Sequence, residues 1–231
     1  MFKISEFSNK LELFSYLSRE VSSISAPILN KNKNLNLLFT GGSMMDLMIK
    51  SSLNQDWTKK LPPPMTNLWL TDERVLPRND QNRNDYRLAT AVEAHAQKDF
   101  FTLKHWRAYS PKDMFSACKE YDQDMDLILG STKFNVAFLT IGTDGHFAGL
   151  WPSHFMTTEK NLKSISHSNA PLPFPCRVSM SLKRISRSDQ IFLYLIGEKK
   201  ISLFFATFMN RTEFSFLKTR NTQILTVSRD K

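Results

Sequence analysis

Apolar runs of strand length alternate with stretches of helical spacing along most of the 231-residue chain. Leu11, Phe14, Leu17, Val21 and Ile24 recur at three- and four-residue steps, which predicts an amphipathic helix over residues 10–29 that ends near Pro27. The polar segment Asn30 to Asn36 reads as a loop, and Leu35 to Thr40 as a short buried strand running straight into Gly41-Gly42-Ser43. Met44, Met45, Leu47, Met48, Ile49 and Leu53 predict a helix after that turn, and Pro62-Pro63-Pro64 breaks whatever precedes it. Asn67 to Thr71 is a second strand, ending at Asp72-Glu73-Arg74.

Further along, Arg78 to Asp85 is a loop by composition, and helices are expected over Tyr86 to Gln97 and Pro111 to Leu129. Phe134 to Ile141 is almost continuously apolar, as suits a central parallel strand buried on both faces, and it ends at Gly142. A proline-rich loop over Pro171 to Pro175 precedes an alternating strand, Arg177 to Leu182. Ile191 to Ile196 is a buried strand ending at Gly197, Lys199 to Met209 a helix, and Ile224 to Val227 a last strand. Strands and helices in this order predict an α/β fold: one domain over residues 1–231, built on a mostly parallel, doubly wound (Rossmann-like) sheet with helices on both faces.

Composition narrows the function. At 41% hydrophobic and 23% charged residues the chain is of ordinary globular type, far from the composition of chains that stay disordered. No apolar run approaches the ~20 residues that a membrane-spanning helix needs. Met1 to Asn9 carries Lys3 and Glu6 and has no apolar signal core, so a cytoplasmic protein with no membrane partner is expected. Cys118 and Cys176, without C-x-x-C spacing, read as packing residues rather than a disulfide, zinc or redox pair. Lys and Arg number 31 against 22 Asp and Glu, a formal charge of +9 that favours anionic partners. These cations are scattered; the densest stretch, Lys183 to Arg187, holds only three. A phosphorylated metabolite is therefore a better match than nucleic acid.

Candidate chemistry gathers at two turns. Of seven glycines, Gly41 and Gly42 form one, and Gly142, Gly145 and Gly149 crowd the other, both directly after strands, where open α/β sheets place their sites. Gly41-Gly42-Ser43, between a strand and a helix, is positioned to offer N–H groups and a hydroxyl to a phosphate, although the same tripeptide also suits a plain tight turn. In the second turn His146 is the candidate general base, with the nearby carboxylate of Asp144 available to orient its ring; capping the next helix is the alternative role. His95, His105, His154 and His167 lie in helical or loop sequence without metal-type spacing and read as surface or structural.

In their order along the chain, Gly41-Gly42-Ser43, Asp72 to Pro77, the Asp144-Gly145-His146 segment running to Leu150-Trp151-Pro152, Arg177-Val178-Ser179 and Gly197-Glu198-Lys199-Lys200 resemble the 6-phosphogluconolactonase family. That family belongs to the broader group it shares with glucosamine-6-phosphate isomerases. The resemblance implies hydrolysis of 6-phospho-D-glucono-1,5-lactone, with His146 drawing a proton from the attacking water. Arg74 then stabilises negative charge on the tetrahedral intermediate or holds the substrate, a salt bridge to Glu73 or Asp72 being its other role. Gly41, Gly42, Ser43, Asp72, Gly145, Arg177 and Lys200 are implied to hold the phosphorylated sugar, Lys200 rather than Lys199 because it stands three residues after Gly197. Neither a G-x-x-x-x-G-K-[ST] loop nor a metal-binding cluster occurs, so the expected reaction needs no cofactor and no metal, and the expected catalyst is a monomer with a small-molecule sugar-phosphate substrate.

The chain departs from the family pattern at Met44-Met45, where Thr-Pro is usual, at Arg83-Asn84, where Ser-Asn is usual, and over Phe147 to Pro152. A late Leu-Pro segment and a final alanine-rich helix are not recognisable after Phe214. Two other functions stay open. Against a deaminase of the same fold stand Arg74, where those enzymes carry an aromatic residue, and Leu150-Trp151-Pro152, where they carry Asn-Glu-Pro. The other is a non-catalytic sugar-phosphate-binding protein.

Overall fold

A computed structural model describes residues 2–31, 33–42, 45, 66–95, 101–155 and 163–228. Within them the strands are β1 (Lys3–Glu6), β2 (Leu35–Phe39), β3 (Thr66–Leu70), β4 (Asp72–Arg74), β5 (Phe101–Leu103), β6 (Phe134–Leu139), β7 (Ser164–His167), β8 (Arg177–Met180), β9 (Ser188–Ile196) and β10 (Thr222–Val227). The α-helices are α1 (Lys10–Leu29), α2 (Asn84–His95), α3 (Met114–Ile128), α4 (Leu182–Ile185) and α5 (Glu198–Thr207). Seven strands form one sheet in the order β1-β10-β9-β6-β2-β3-β5, parallel at every pairing, as the strand-helix alternation predicts. Every residue of β2 and β3 is buried, so both faces of the sheet are covered there. From β2 the chain builds outward to β3 and β5, then crosses to the other side for β6, β9 and β10. The order therefore reverses between β2 and β6, the point at which open α/β sheets leave a crevice beyond the strand ends.

Several elements differ from the sequence expectation. Helix α1 spans Lys10–Leu29 as expected, but its buried stripe is Leu13, Phe14, Leu17, Val21 and Ser25, while Leu11 is 80% exposed. Asp72-Glu73-Arg74 is not simply the end of a strand. It is β4 of a second sheet, β4-β8-β7, antiparallel throughout. Strands β1, β5 and β7 carry no apolar run; β1 and β5 are edge strands whose partners, rather than their own sequence, hold them extended. His167 accordingly lies in a strand rather than a loop. Most of the helix expected from Met44 onward and the Pro62-Pro63-Pro64 break lie outside the described residues. No helix among the described residues is long and apolar enough to cross a membrane.

The carboxyl end of β3 is clamped by aromatic side chains. The Tyr121 hydroxyl of α3 accepts the Leu70 N–H at 3.0 Å and donates to the Leu70 carbonyl at 3.1 Å, and the Trp106 indole donates to the same carbonyl at 3.1 Å. Trp106 and Tyr121 stack with ring centroids 3.8 Å apart. Beside them lies Arg83, whose side chain is wholly buried. Its Nε and Nη2 grip Asp85 at 2.8 and 2.9 Å, Nη2 also donates to the Trp106 carbonyl at 2.7 Å, and Nη1 donates to the Leu76 and Ala108 carbonyls at 2.9 and 2.8 Å. A longer contact of 3.3 Å reaches the Arg74 carbonyl. The fork thus joins β4, the loop after it, the start of α2 and the segment after β5.

Glu73, also wholly buried, completes the cluster. It accepts the N–H groups of Asn84 and Asp85 at 2.7 and 2.8 Å, so the carboxyl group from β4 satisfies buried backbone donors at the start of α2 that have no partner within the helix. Burial and the neighbouring Asp85 push the Glu73 carboxyl up, against the pull of Arg83 and those N–H groups. Burial also works against ionisation of Asp85, but hydrogen bonds from His105 and Arg83 hold its pKa down at about 2.

Removing the cation from this cluster strands two buried carboxyl groups. Arg83→Met is expected to destabilise the protein by roughly 3–5 kcal/mol in urea unfolding, and Arg83→Lys to recover only part of the loss because an ammonium lacks the fork. A carboxyl depressed from 3.8 to about 2 contributes stability that is complete above pH ~4 and lost as pH falls towards 2. Between those limits unfolding free energy is expected to fall by about 2 kcal/mol more in the native protein than in Asp85→Asn, read from urea unfolding at each pH.

Candidate active site

A cleft of about 340 Å³ opens at the switch point of the sheet. Gly41 and Gly42 enter it from the end of β2, Asp72 and Arg74 from β4, Thr140 to Thr143 and His146 from beyond β6, Arg177 from β8, and Lys200 from the first turn of α5. Of the residues singled out in the sequence, these seven (Gly41, Gly42, Asp72, Arg74, His146, Arg177 and Lys200) line one cavity. Asp144 and Gly145 are in the same loop as His146 but do not line it, and Ser43 lies outside the described residues.

The second sheet decides how the cations enter. Side chains of a strand alternate between its faces, so Asp72 and Arg74 of β4 reach the cleft while Glu73 turns inward to Arg83. In the β4–β8 register Arg74 stands directly opposite Arg177. Two like charges placed across from each other repel, and Asp72 on the same strand as Arg74 opposes that repulsion at Arg177. The Nε atoms of both are buried and without a hydrogen-bond partner. Burial, then the charge of Arg74 against the opposing pull of Asp72, brings the Arg177 guanidinium below its ordinary range. Glu73 faces Arg83, and the Arg74 guanidinium donates to the Asn82 carbonyl and lies over the Phe174 ring.

The loop after β6 presents the histidine. His146 Nδ1 lies 2.6 Å from Asp144 Oδ1, and because an ionised carboxylate only accepts, Nδ1 carries the proton, so that in the neutral ring the lone pair is on Nε2. Burial opposes the charge on Asp144, yet the imidazole of His146 and the Trp151 indole hold its carboxyl below the usual range. The turn demands glycine at 142: a Cβ there would stand 2.2 Å from His146 Nδ1 and 2.4 Å from Asp144 Oδ1. Gly41 is constrained by the same kind of approach, since a Cβ would meet Asn84 Oδ1 at 2.3 Å.

On the far wall, Lys200 is half-buried and reaches Thr140 Oγ1 at 3.3 Å, while Lys199 is exposed. Burial lowers the Lys200 ammonium from its ordinary value. Among the described residues no group of three or more His, Cys, Asp or Glu side chains is arranged to hold a metal ion.

Sequence reasoning gave no role to Trp151, Asn84 or Thr140, all of which line the cleft. Asn84 donates to the Asp72 carbonyl at 2.9 Å and leaves its buried Oδ1 without a partner beside Gly41. Its only signal in the sequence is its place just after the Asp-Glu-Arg segment, next to Arg83, which turns out to be structural. Trp151 falls within the glycine-rich loop, but nothing in the sequence indicates which way its indole points. His154 and His167 stack behind Trp151 with ring centroids 4.1 Å apart, and His105 bonds Asp85 at 3.1 Å.

A model of glucosamine-6-phosphate isomerases/6-phosphogluconolactonase matches residues 8–215. Among curated proteins, the GDH/6PGL endoplasmic bifunctional protein of Oryctolagus cuniculus is 23% identical over 195 residues, covering 82% of this chain but only 24% of that protein. The 6-phosphogluconolactonase of Mycobacterium leprae is 24% identical over 194 residues, covering 79% of this chain and 75% of its own length. The crystal structure of 6-phosphogluconolactonase from Thermotoga maritima superposes with a TM-score of 0.80 at 16% identity, covering 99% of this chain and 100% of that one, which establishes the shared fold. With a family model spanning nearly the whole chain, this protein belongs to the glucosamine-6-phosphate isomerase/6-phosphogluconolactonase family.

Proposed function

We propose that the protein hydrolyses 6-phospho-D-glucono-1,5-lactone to 6-phosphogluconate, with His146 as the general base. The observation that carries this reading is the convergence of a carboxylate-oriented imidazole and three cations on one cleft at the switch point. Relatives named as 6-phosphogluconolactonases support the substrate class.

In this mechanism His146 Nε2 takes a proton from water as the water oxygen bonds to the lactone carbonyl carbon. The carbonyl electrons move to oxygen, and the negative charge formed there is stabilised by a guanidinium, a task suited to Arg74. Collapse of the tetrahedral intermediate breaks the bond to the ring oxygen, which takes the proton back from the imidazolium. The product is the open-chain acid, which releases its proton to water to leave the carboxylate. Asp144 holds the ring in the tautomer that leaves Nε2 basic, and it stabilises the imidazolium that forms. A phosphate dianion is a suitable partner for Arg177 and Lys200. An anion bound between cations otherwise held in mutual repulsion gains the Coulomb energy that the protein has already lost in assembling them.

His146→Ala is expected to lower lactone hydrolysis by roughly 10²- to 10⁴-fold while unfolding is unchanged, measured as 6-phosphogluconate formed and corrected for spontaneous hydrolysis. Hydrolysis at the native rate by the folded variant would overturn the base assignment. Ammonia release from glucosamine 6-phosphate, without lactone hydrolysis, would replace the proposed activity by deamination. For Arg177→Ala and Lys200→Ala the loss should fall mainly on KM, by roughly 10- to 100-fold each, because a charge-assisted contact to the phosphate persists from ground state to transition state.

A further inference from the structure

Asp144 offers two oxygens, and only one meets His146. The Trp151 indole N–H donates to the other, Oδ2, at 2.9 Å. The same indole lies against the imidazole, ring centroids 4.9 Å apart and tilted by 36°, and the Arg177 guanidinium sits 5.6 Å from its ring centroid. One side chain therefore touches the carboxylate, the imidazole and a cation of the cleft.

Trp151 is itself held from behind. Its backbone N–H donates to His154 Nδ1 at 3.0 Å, which leaves His154 Nε2 to donate to Asn169 Oδ1 at 2.8 Å. The indole packs edge-on to His154 and His167, at centroid distances of 6.3 and 5.9 Å, and His167 donates to the Gly149 carbonyl at 2.6 Å. Burial, the neighbouring His154 and Arg177 depress His167 and favour its neutral form. The side chain of Asp144, by contrast, is 47% exposed, and without the indole its Oδ2 faces water and its carboxylate plane is free to turn.

We propose that Trp151 is a positioning residue for the His146–Asp144 pair: its N–H locks the carboxylate plane and takes up part of the negative charge that Asp144 presents to the imidazole. This rests on the reading of His146 as base. A carboxylate shared between two donors stabilises a protonated imidazole less than one that faces the imidazole alone, so the N–H keeps His146 in its basic form to lower pH. Among the described residues, the other titratable and charged groups around His146 are Asp72 and Arg74 of β4, Arg177 of β8 and Lys200 of α5, with His154 and His167 beyond the indole. A change confined to the indole nitrogen alters none of them.

The test is the pH titration of the His146 Cε1–H resonance, read by NMR in the native protein, Trp151→Phe, Asp144→Asn and the double variant. Trp151→Phe is expected to move the midpoint up by roughly half a pH unit and the acid limb of kcat/KM with it. In the Asp144→Asn background the same replacement is expected to move nothing, because the charge it acts through is gone. An unmoved midpoint in Trp151→Phe, or an equal shift with and without the Asp144 carboxylate, would overturn the proposal. If the smaller ring fails to fold, β-(3-benzothienyl)alanine at position 151 keeps the bicycle, lacks the N–H and is held to the same outcomes. Native activity in His146→Ala would sink the base assignment and leave this NMR coupling intact, so the two failures are separable.

Discussion

The guanidinium of Arg83 lies where four chain segments meet, shielded from water, with every N–H group engaged. Its position makes a three-residue strand possible. Strand β4 is too short to hold itself, and it enters the fold at the sheet's carboxyl edge, where no parallel neighbour continues past it. On one side β8 supplies its ladder; on the other, Arg83 and Glu73 tie it to the start of α2 and to the carbonyls after β5. The direction in which Asp72 and Arg74 point follows from that anchoring, because alternation along the strand sends Glu73 to the cluster and its two neighbours to the cleft.

The cleft is built against electrostatic preference. Arg74 and Arg177 are opposed across two strands, both with a buried, unpartnered Nε, and Lys200 faces them from a separate helix. Such an arrangement of like charges costs stability and favours an anion between them. The opposing demand, a basic nitrogen close to these cations, is met by setting His146 beside its own carboxylate on a glycine-rich loop. On the proposed reading, attraction for a phosphate and availability of a proton acceptor fall to different elements, which meet only at the strand ends.

Much of the fold is legible in the residue pattern. Buried strands such as Leu35–Phe39 and Phe134–Leu139 announce themselves through continuous apolar runs, and the helices between them through three- and four-residue steps. Elements whose stability is borrowed are not legible. Lys3–Glu6 is polar and mostly exposed, and is extended because Thr222–Val227 pairs with it; Asp72–Arg74 reads as the polar end of the preceding strand and is a strand of a second sheet because Arg177–Met180 lies alongside. The first helix is legible to within a turn: the spacing over residues 10–29 and Pro27 place its end, and α1 closes at Leu29 with the Asn30 cap.

The site divides in the same way. Sequence alone determined which residue types sit at which turns, since glycines, a histidine beside an aspartate, and cations after strand ends are properties of local chemistry. Tertiary structure decided what Arg83 and Trp151 do. A buried arginine looks like any other in a sequence, and its partners at 73, 85, 106 and 108 become neighbours only when the sheet closes. An indole in a loop has no direction until the β7–β8 hairpin stands behind it. Contacts between residues distant along the chain depend on how the strands are ordered, and that order depends on packing rather than on periodicity.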